Sequence, residues 1–264
     1  IILDACRADM FEETFNITEF AEYEKVVSPG ASSPEWMKST FQGKSFPDTI
    51  YVSGNPWISK IAPDSFHEIV NVWTEEYDVD IKELEVGVTL DDVNTEGRGT
   101  SRAKHVTDAA IEAYKRYPHK RIIVHYFQPH APTCGNSDGS LKKEIDHSLH
   151  PGGIRDGEAT KDETWEAYKE NLQYAFHHAR NVEEEIGGKT VYTADHGELF
   201  GDILTPYPVR GYGHPTGVHH PQLLTVPWAV SKDERRDIIE GETVNRSVPE
   251  TDVNKRLRDL GYTT

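Results

Sequence analysis

Short apolar runs along the chain predict five buried strands. Each run is rich in β-branched or aromatic residues, which favour strands that are covered on both faces. The predicted strands are Ile1–Leu3, Thr49–Val52, Arg121–Phe127, Thr190–Thr193 and Thr225–Val230. Runs of this kind indicate a central sheet that is packed against other elements.

Between these strands, apolar positions recur every three or four residues and predict helices. The helices are Ser101–Tyr117, Asp162–Ile186 and Glu250–Leu260, and glycines follow the last two, as is typical of helix C-termini. Alternating strands and helices predict an α/β fold with a largely parallel sheet. We expect a single domain over residues 1–264, with the polar segment 135–158 as a loop or lid over one end of the sheet.

The net charge of the chain argues against two classes of binding partner. The chain has 28 Lys and Arg against 45 Asp and Glu, a formal net charge of −17, with 36% hydrophobic residues. Such acidity argues against nucleic acid and against an anionic membrane surface, while the apolar content argues against a disordered tail. An acidic, polar surface favours a halophilic source with a salt-rich cytoplasm, although solubility alone also explains it.

Cysteine content and the chain start bear on location. Two cysteines form neither a disulfide framework nor a four-thiolate zinc site, and no apolar run reaches the length of a membrane span. These features slightly favour the cytoplasm. Because Ile1 already lies in a strand pattern, we expect the first strand to begin upstream, where a signal or anchor would be invisible. Oligomeric state stays open.

Polar residues follow three of the predicted strands. Asp4 follows the first strand, His130 comes shortly after the third, and Asp195 and His196 come after the fourth. In open α/β sheets, ligands bind beyond the carboxyl ends of the strands. A single Asp at such a place is more often a turn or cap residue, but three strand ends together favour a site for Mn²⁺ or Zn²⁺, with Mg²⁺ or Ca²⁺ as alternatives.

Four segments carry a resemblance to a known family. The chain resembles the sulfatase-like branch of the alkaline phosphatase superfamily, in a form typical of halophilic archaea. The resemblance lies in Leu3–Asp9, Tyr126–Pro132, Thr193–Asp202 and Asp252–Tyr262, in the family's order. It implies an alkaline-phosphatase-like α/β/α sandwich and a two-step displacement at phosphorus or sulfur, through a covalent intermediate on a metal-bound hydroxyl.

The resemblance also implies residue roles. Asp4, Asp195 and His196 match the positions that hold the metal, together with the serine nucleophile. Arg7 lies within the first motif, where it either contacts an anionic ester or forms an ion pair.

Two histidines match the rest of the family's site. The resemblance implies that His130 and His214 would bind the transferring group, protonate the leaving group or contribute to a second metal. A second metal site would need an aspartate at the strand end that Gln128 occupies, so we expect one metal ion and not two. The spacing of Asp146 and His150 is a weaker alternative for a second site. Asn55 is interpreted as a turn residue, and a role near the active site is the alternative.

The nucleophile lies in the segment 26–36, at Ser32 or Ser33. A helix is predicted from Pro34, and its N-terminus would stabilise a nearby anion. The family places an apolar residue eight positions after the nucleophile and a glycine ten positions after it. Phe41 and Gly43 satisfy this for Ser33, which we prefer; the family's proline spacing favours Ser32.

Substrate class remains divided between phosphate and sulfate esters, of small molecules or glycans. Sulfatases resemble one another in a Cys-x-Pro-Ser-Arg motif that this chain lacks, and an unmodified serine suits phosphoryl chemistry better. We therefore predict a metal-dependent hydrolase or transferase of such esters. The alternatives are a non-catalytic relative that binds a metal or an anion, and a plain α/β binding domain.

Overall fold

A seven-stranded sheet forms the centre of the molecule. The computed structural model describes residues 1–73, 101–206, 208–231, 234–239 and 250–259. The sheet has the order β2-β9-β6-β1-β5-β3-β4, and in it only β9 runs antiparallel to its neighbours. The predicted α/β fold with a largely parallel mixed sheet is therefore confirmed. The strands are β1 (Ile2–Asp4), β2 (Glu22–Val27), β3 (Phe46–Ser53), β4 (Phe66–Asn71), β5 (Arg121–Pro129), β6 (Val191–Thr193) and β9 (Thr225–Val230), with β7 (Leu199–Leu204) and β8 (Val209–Gly213) forming a separate hairpin.

Helices cover both faces of this sheet. They are α1 (Ala8–Thr14), α2 (Ser33–Phe41), α3 (Trp57–Ile61), α4 (Ala103–Arg116), α5 (Pro151–Asp156), α6 (Lys161–Ile186), α7 (Pro221–Leu224) and α8 (Glu250–Asp259). Alternate strand residues enter two different apolar clusters: Leu3 packs with α1, α4 and α6, whereas Ile2 packs with α2 and α3. The layers form the sandwich that the sequence predicts.

The long helix α6 shows how local sequence defines an element. Thr160 caps its N-terminus and exchanges hydrogen bonds with Glu163, and Gly187 ends it with a positive φ of 65°. The helix begins and ends within a residue of its predicted bounds. The predicted end of α8 at Gly261 lies outside the described residues.

The polar segment 135–158 contains the short helix α5, which contacts the β7–β8 hairpin. A lid function for this segment stays a prediction. Within the described ranges, no helix is both long enough and apolar enough to cross a bilayer.

Candidate metal centre and nucleophile

The sheet order brings the predicted strand ends together. Strands β6, β1 and β5 are neighbours, so the residues that follow them meet at one edge of the sheet. Asp4 is the last residue of β1, and Asp195 and His196 follow β6 after one alanine. All three are completely buried.

Ser33 lies at the centre of this group. Its hydroxyl donates to Asp195 Oδ2 at 2.7 Å and lies 3.2 Å from His196 Nε2 and 3.5 Å from Asp4 Oδ2. His196 Nε2 is in turn 3.5 Å from both Asp4 Oδ1 and Asp195 Oδ2. The structure thus brings together all four residues that the sequence predicts as metal ligands.

Ser32 points elsewhere, although it is also buried. It is the N-cap residue of α2, and its hydroxyl lies 3.3 Å from that of Thr216. Ser33 is the first residue of the helix, where the backbone N–H groups favour an anion. The geometry therefore selects Ser33 as the hydroxyl of the cluster, and its role as nucleophile stays a prediction.

Backbone contacts of the Asp-His-Gly-Glu segment hold this arrangement in place. The Ser28 hydroxyl donates to the carbonyl of Asp195, which joins the loop between β2 and α2 to the end of β6. Gly197 packs so closely on the short helix α7 that a Cβ there would lie 2.0 Å from the Gln222 carbonyl oxygen. Only glycine fits this approach, which explains one residue of the motif.

A divalent cation fits these ligand atoms. The His196 Nδ1–H donates to the Gly197 carbonyl, so Nε2 presents a lone pair toward the two carboxylates. Asp4 Oδ1 is buried and has no hydrogen-bond partner among the described residues. Two buried carboxylates facing a ring lone pair are unfavourable unless a cation lies between them.

Electrostatics supports the same conclusion. Burial, and after it the nearby Asp195 carboxylate, raises the pKa of Asp4 well above its ordinary value. Burial acts in the same direction on Asp195, but His196 and His125 outweigh it and hold the pKa of Asp195 below its ordinary value. Without a cation, the pair therefore tends to keep one proton on Asp4.

Asn55 belongs to the site as well as to its turn. Its Nδ2 donates to Asp4 Oδ2 at 2.8 Å and lies 3.1 Å from Ser33 Oγ, while its Oδ1 accepts from the backbone N–H of Trp57. The contacts of Asn55 therefore fit both the turn and the alternative role near the active site. Asn55 follows β3, so a fourth strand end contributes to the site.

A second group of possible metal ligands adjoins the first. His214 Nδ1 lies 3.0 Å from Glu198 Oε1, and His130 Nε2 lies 4.0 Å from Glu198 Oε2. The ring centroids of His196 and His214 are 4.6 Å apart, so the two groups are neighbours. Each of these three residues offers a possible ligand atom, and these atoms lie within 4.8 Å of one another.

Glu198 changes the argument about the number of metal ions. We expected one metal because Gln128 replaces a carboxylate near His130. In the structure, the Gln128 side chain donates to the Ser101 carbonyl instead, and Glu198 supplies a carboxylate beside His130. The reason for expecting one metal no longer holds, and the number of ions stays open.

The two histidines of this group differ in their protonation. Burial, followed by the neighbouring His214, lowers the pKa of His130 to about 4. Burial also opposes the charged form of His214, but Glu198 outweighs it and raises the pKa of His214 above its ordinary value. His214 is therefore the ring of this pair that carries a proton to higher pH.

Arg7 is held by acidic side chains of the chain itself. Its guanidinium donates to both carboxylate oxygens of Asp9, to Asp202 Oδ2 and to the Glu198 carbonyl, and it lies 5.0 Å from the ring centroid of Trp165. These contacts favour the ion-pair alternative over contact with a substrate. Asp146 and His150 belong to neither metal-ligand group of the described residues, and Asp146 accepts from Ser148 in a local turn.

Comparisons with known proteins place the fold. No family model and no curated protein matches the chain. Among solved structures, the C-terminal periplasmic domain of EcEptC from Escherichia coli, in complex with zinc, matches with a TM-score of 0.53 and 12% identity over 89% of this chain and 72% of that one. Another structure of the same domain gives a TM-score of 0.47 at 14% identity, over 89% and 71%. The likeness shows the alkaline-phosphatase-like fold.

Proposed function

We propose that this chain is a metal-dependent enzyme that transfers the phosphoryl group of a phosphate ester, with Ser33 as the nucleophile. The observation that carries the proposal is the position of Ser33 Oγ, within 3.5 Å of ligand atoms from Asp4, Asp195 and His196. A similar fold that binds zinc in the EcEptC domain supports the choice of metal.

Asp4, Asp195, His196 and Ser33 would hold the cation. When bound, a divalent cation lowers the pKa of a hydroxyl and offsets the negative charge that develops on phosphoryl oxygens. Asp195 Oδ2 accepts the hydrogen bond of the Ser33 hydroxyl and is placed to take its proton. The Ser33 oxygen then forms a bond to phosphorus as the ester oxygen leaves.

His214 and Asn55 serve the rest of the transfer. The raised pKa of His214 suits a general acid that protonates the leaving oxygen. Asn55 Nδ2, 3.1 Å from Ser33 Oγ, is placed to donate to an oxygen of the transferring group. Water or an acceptor hydroxyl would then release the phosphoryl group from Ser33, which makes the enzyme a hydrolase or a transferase.

A substrate panel with two serine variants tests this function. We expect turnover of aryl phosphate monoesters or diesters in the presence of Zn²⁺ or Mn²⁺, with aryl sulfates and Ca²⁺ or Mg²⁺ as comparison arms. Ser33→Ala should lower kcat by about 10³-fold or more, because the covalent step is lost. Mass spectrometry of quenched reactions should find a phosphoryl adduct on the peptide that contains Ser33.

Ser32→Ala is the matched control and should keep kcat close to the wild-type value. Equal losses in both variants would contradict the assignment of Ser33. Turnover of sulfates alone would assign sulfate-ester chemistry. A metal-loaded protein that turns over none of the esters would favour the non-catalytic alternative.

A further inference from the structure

A second histidine, His125, faces the two metal-binding carboxylates from within the sheet. It lies on β5 and is completely buried. Its Nε2 is 3.8 Å from Asp4 Oδ2 and 3.7 Å from Asp195 Oδ2, and it has no hydrogen-bond partner among the described residues. The apolar strand pattern around His125 predicted no role for it. A role beside these carboxylates deepens the proposed function and rests on the metal site of that function.

Tyr51 determines which nitrogen of His125 carries the proton. Its hydroxyl lies 2.7 Å from His125 Nδ1, and this is its one hydrogen bond within the described part of the chain. If Nδ1 carried the proton, the buried tyrosine O–H would have no acceptor, and the Nε2 lone pair would face two carboxylates, which repel it. The tyrosine therefore donates to Nδ1, and the ring proton lies on Nε2.

The result is an N–H group aimed at both carboxylates. At 3.8 Å from Asp4 Oδ2 and 3.7 Å from Asp195 Oδ2, Nε2–H is too far away for a hydrogen bond to either oxygen, but it faces both carboxylates almost equally and interacts with them electrostatically. The ring of Trp36, on α2, also lies beside His125, with its centroid 6.0 Å from that of the imidazole at an angle of 76°.

His196 provides the contrast. Its Nδ1–H donates to a backbone carbonyl, which can only accept, so its Nε2 offers a lone pair. His125 receives a proton at Nδ1 from a hydroxyl, so its Nε2 offers an N–H. Two buried histidines therefore face the same carboxylates with opposite polarity, one suited to bind a cation and the other suited to hold its ligands.

We propose that His125 is a positioning residue whose Nε2–H, set by Tyr51, orients the carboxylates of Asp4 and Asp195 for the metal ion. The groups behind metal ligands fix the orientation of those ligands and affect metal affinity strongly. In this arrangement His125 is not itself a ligand, although its distances alone would admit it to a metal-binding group with Asp4 and Asp195.

Zinc affinity in two substitutions of His125 separates these roles. His125→Leu removes the donor, whereas His125→Gln keeps an N–H at a comparable reach. Metal-free protein titrated with Zn²⁺ against a chromophoric chelator should show a dissociation constant about 10- to 100-fold higher for His125→Leu. For His125→Gln it should stay close to the wild-type value. If His125 were a ligand, the Gln variant would lose as much affinity as the Leu variant, and the proposal would be overturned.

A matched control addresses general loss of packing. His178 is another buried histidine, and its Nε2 lies 3.0 Å from the Gly139 carbonyl oxygen, outside the site. His178→Leu should lower Tm without changing zinc affinity. Equal losses of zinc affinity in His178→Leu and His125→Leu would contradict a positioning role.

The tautomer is measurable without any metal. Long-range ¹H–¹⁵N correlation spectra of the metal-free protein should show His125 protonated on Nε2, and Tyr51→Phe should abolish this preference. An Nδ1–H ring in the wild type would overturn the proposal. Zinc-loaded wild-type protein without ester turnover would instead contradict only the proposed function.

Discussion

The hydrogen-bonded pair of Glu198 and His214 makes the stability of the site depend on pH. Burial disfavours the charged form of both side chains. The attraction between the two outweighs this effect, so the pKa of Glu198 is lowered and that of His214 is raised. Glu198 is 1% exposed, so solvent screens the pair weakly. The pair therefore contributes to stability as well as to the proposed proton transfer.

The sign of each shift defines a pH window for this contribution. The lowered pKa of Glu198 gives stability that is present above the ordinary value of 4.5 and is lost as pH falls through the folded value. The raised pKa of His214 gives stability that is complete below 6.5 and is lost as pH rises through its folded value. Both are present together between about pH 4.5 and 6.5.

We expect Glu198→Gln to lower the free energy of unfolding of the metal-free protein by about 2 kcal/mol inside this window, since a charged hydrogen bond is lost. The difference from wild type should shrink as pH rises above the folded pKa of His214. Urea unfolding with a chelator present, at several pH values, measures both. A difference that grows toward pH 9 would contradict the assignment.

At the scale of elements, one side chain of α2 joins two loops of the site. Glu35 Oε2 accepts from the N–H of Ala31, in the loop between β2 and α2. Its Oε1 accepts from the N–H of Gly217, in the loop that follows His214. A carboxylate that bonds two backbone amides holds both segments in register. These two contacts give Glu35 a structural role.

Glu35→Ala should release the loop that follows His214 while leaving the sheet intact. Amide hydrogen exchange at Gly217 should become about tenfold faster or more, which corresponds to about 1.4 kcal/mol of lost protection. Lys38→Ala, in the same helix, is the control and should leave this exchange unchanged. Unchanged exchange at Gly217 in Glu35→Ala would show that other contacts hold the loop.

The sequence predicted the elements with strong local patterns and missed those that depend on pairing. The five apolar strands and α6 were predicted, whereas β2 was missed, because as an edge strand it exposes much of its length to solvent. Asp4, Asp195 and His196 were recognisable because they follow strands. The places of His125 and Glu198 in the site depend on tertiary contacts, which cannot be inferred from spacing along the chain.

For the whole molecule, the net charge of −17 sets a long-range field that an anionic ester must cross. Arg7 contributes little to reversing that field locally, because Asp9 and Asp202 pair with it. The positive sources at the proposed site are the N-terminus of α2, a protonated His214 and, in the proposed function, a bound cation. A halophilic source stays a prediction.

Salt should therefore speed the capture of substrate. Between about 0.01 M and 1 M NaCl the screening length falls from about 30 Å to about 3 Å. We expect kcat/KM for a dianionic aryl phosphate to rise several-fold over this range, and that of a monoanionic diester to rise less, with kcat little changed. Steady-state kinetics measures this. A steady fall of kcat/KM with salt would mean that the local positive sources dominate.

The position of β1 also constrains how the polypeptide folds during synthesis. This three-residue strand pairs with β5, where Ile2 is opposite His125, and with β6, where Ile2 is opposite Thr193. A ribosome releases Ile2 well before both partners, so β1 can pair with β5 only after about 120 further residues and with β6 only after about 190. Asp4, a ligand in the proposed metal site, thus leaves the exit tunnel early and meets Asp195 and His196 late. Binding of a cation at that proposed site would therefore have to follow the synthesis of most of the chain.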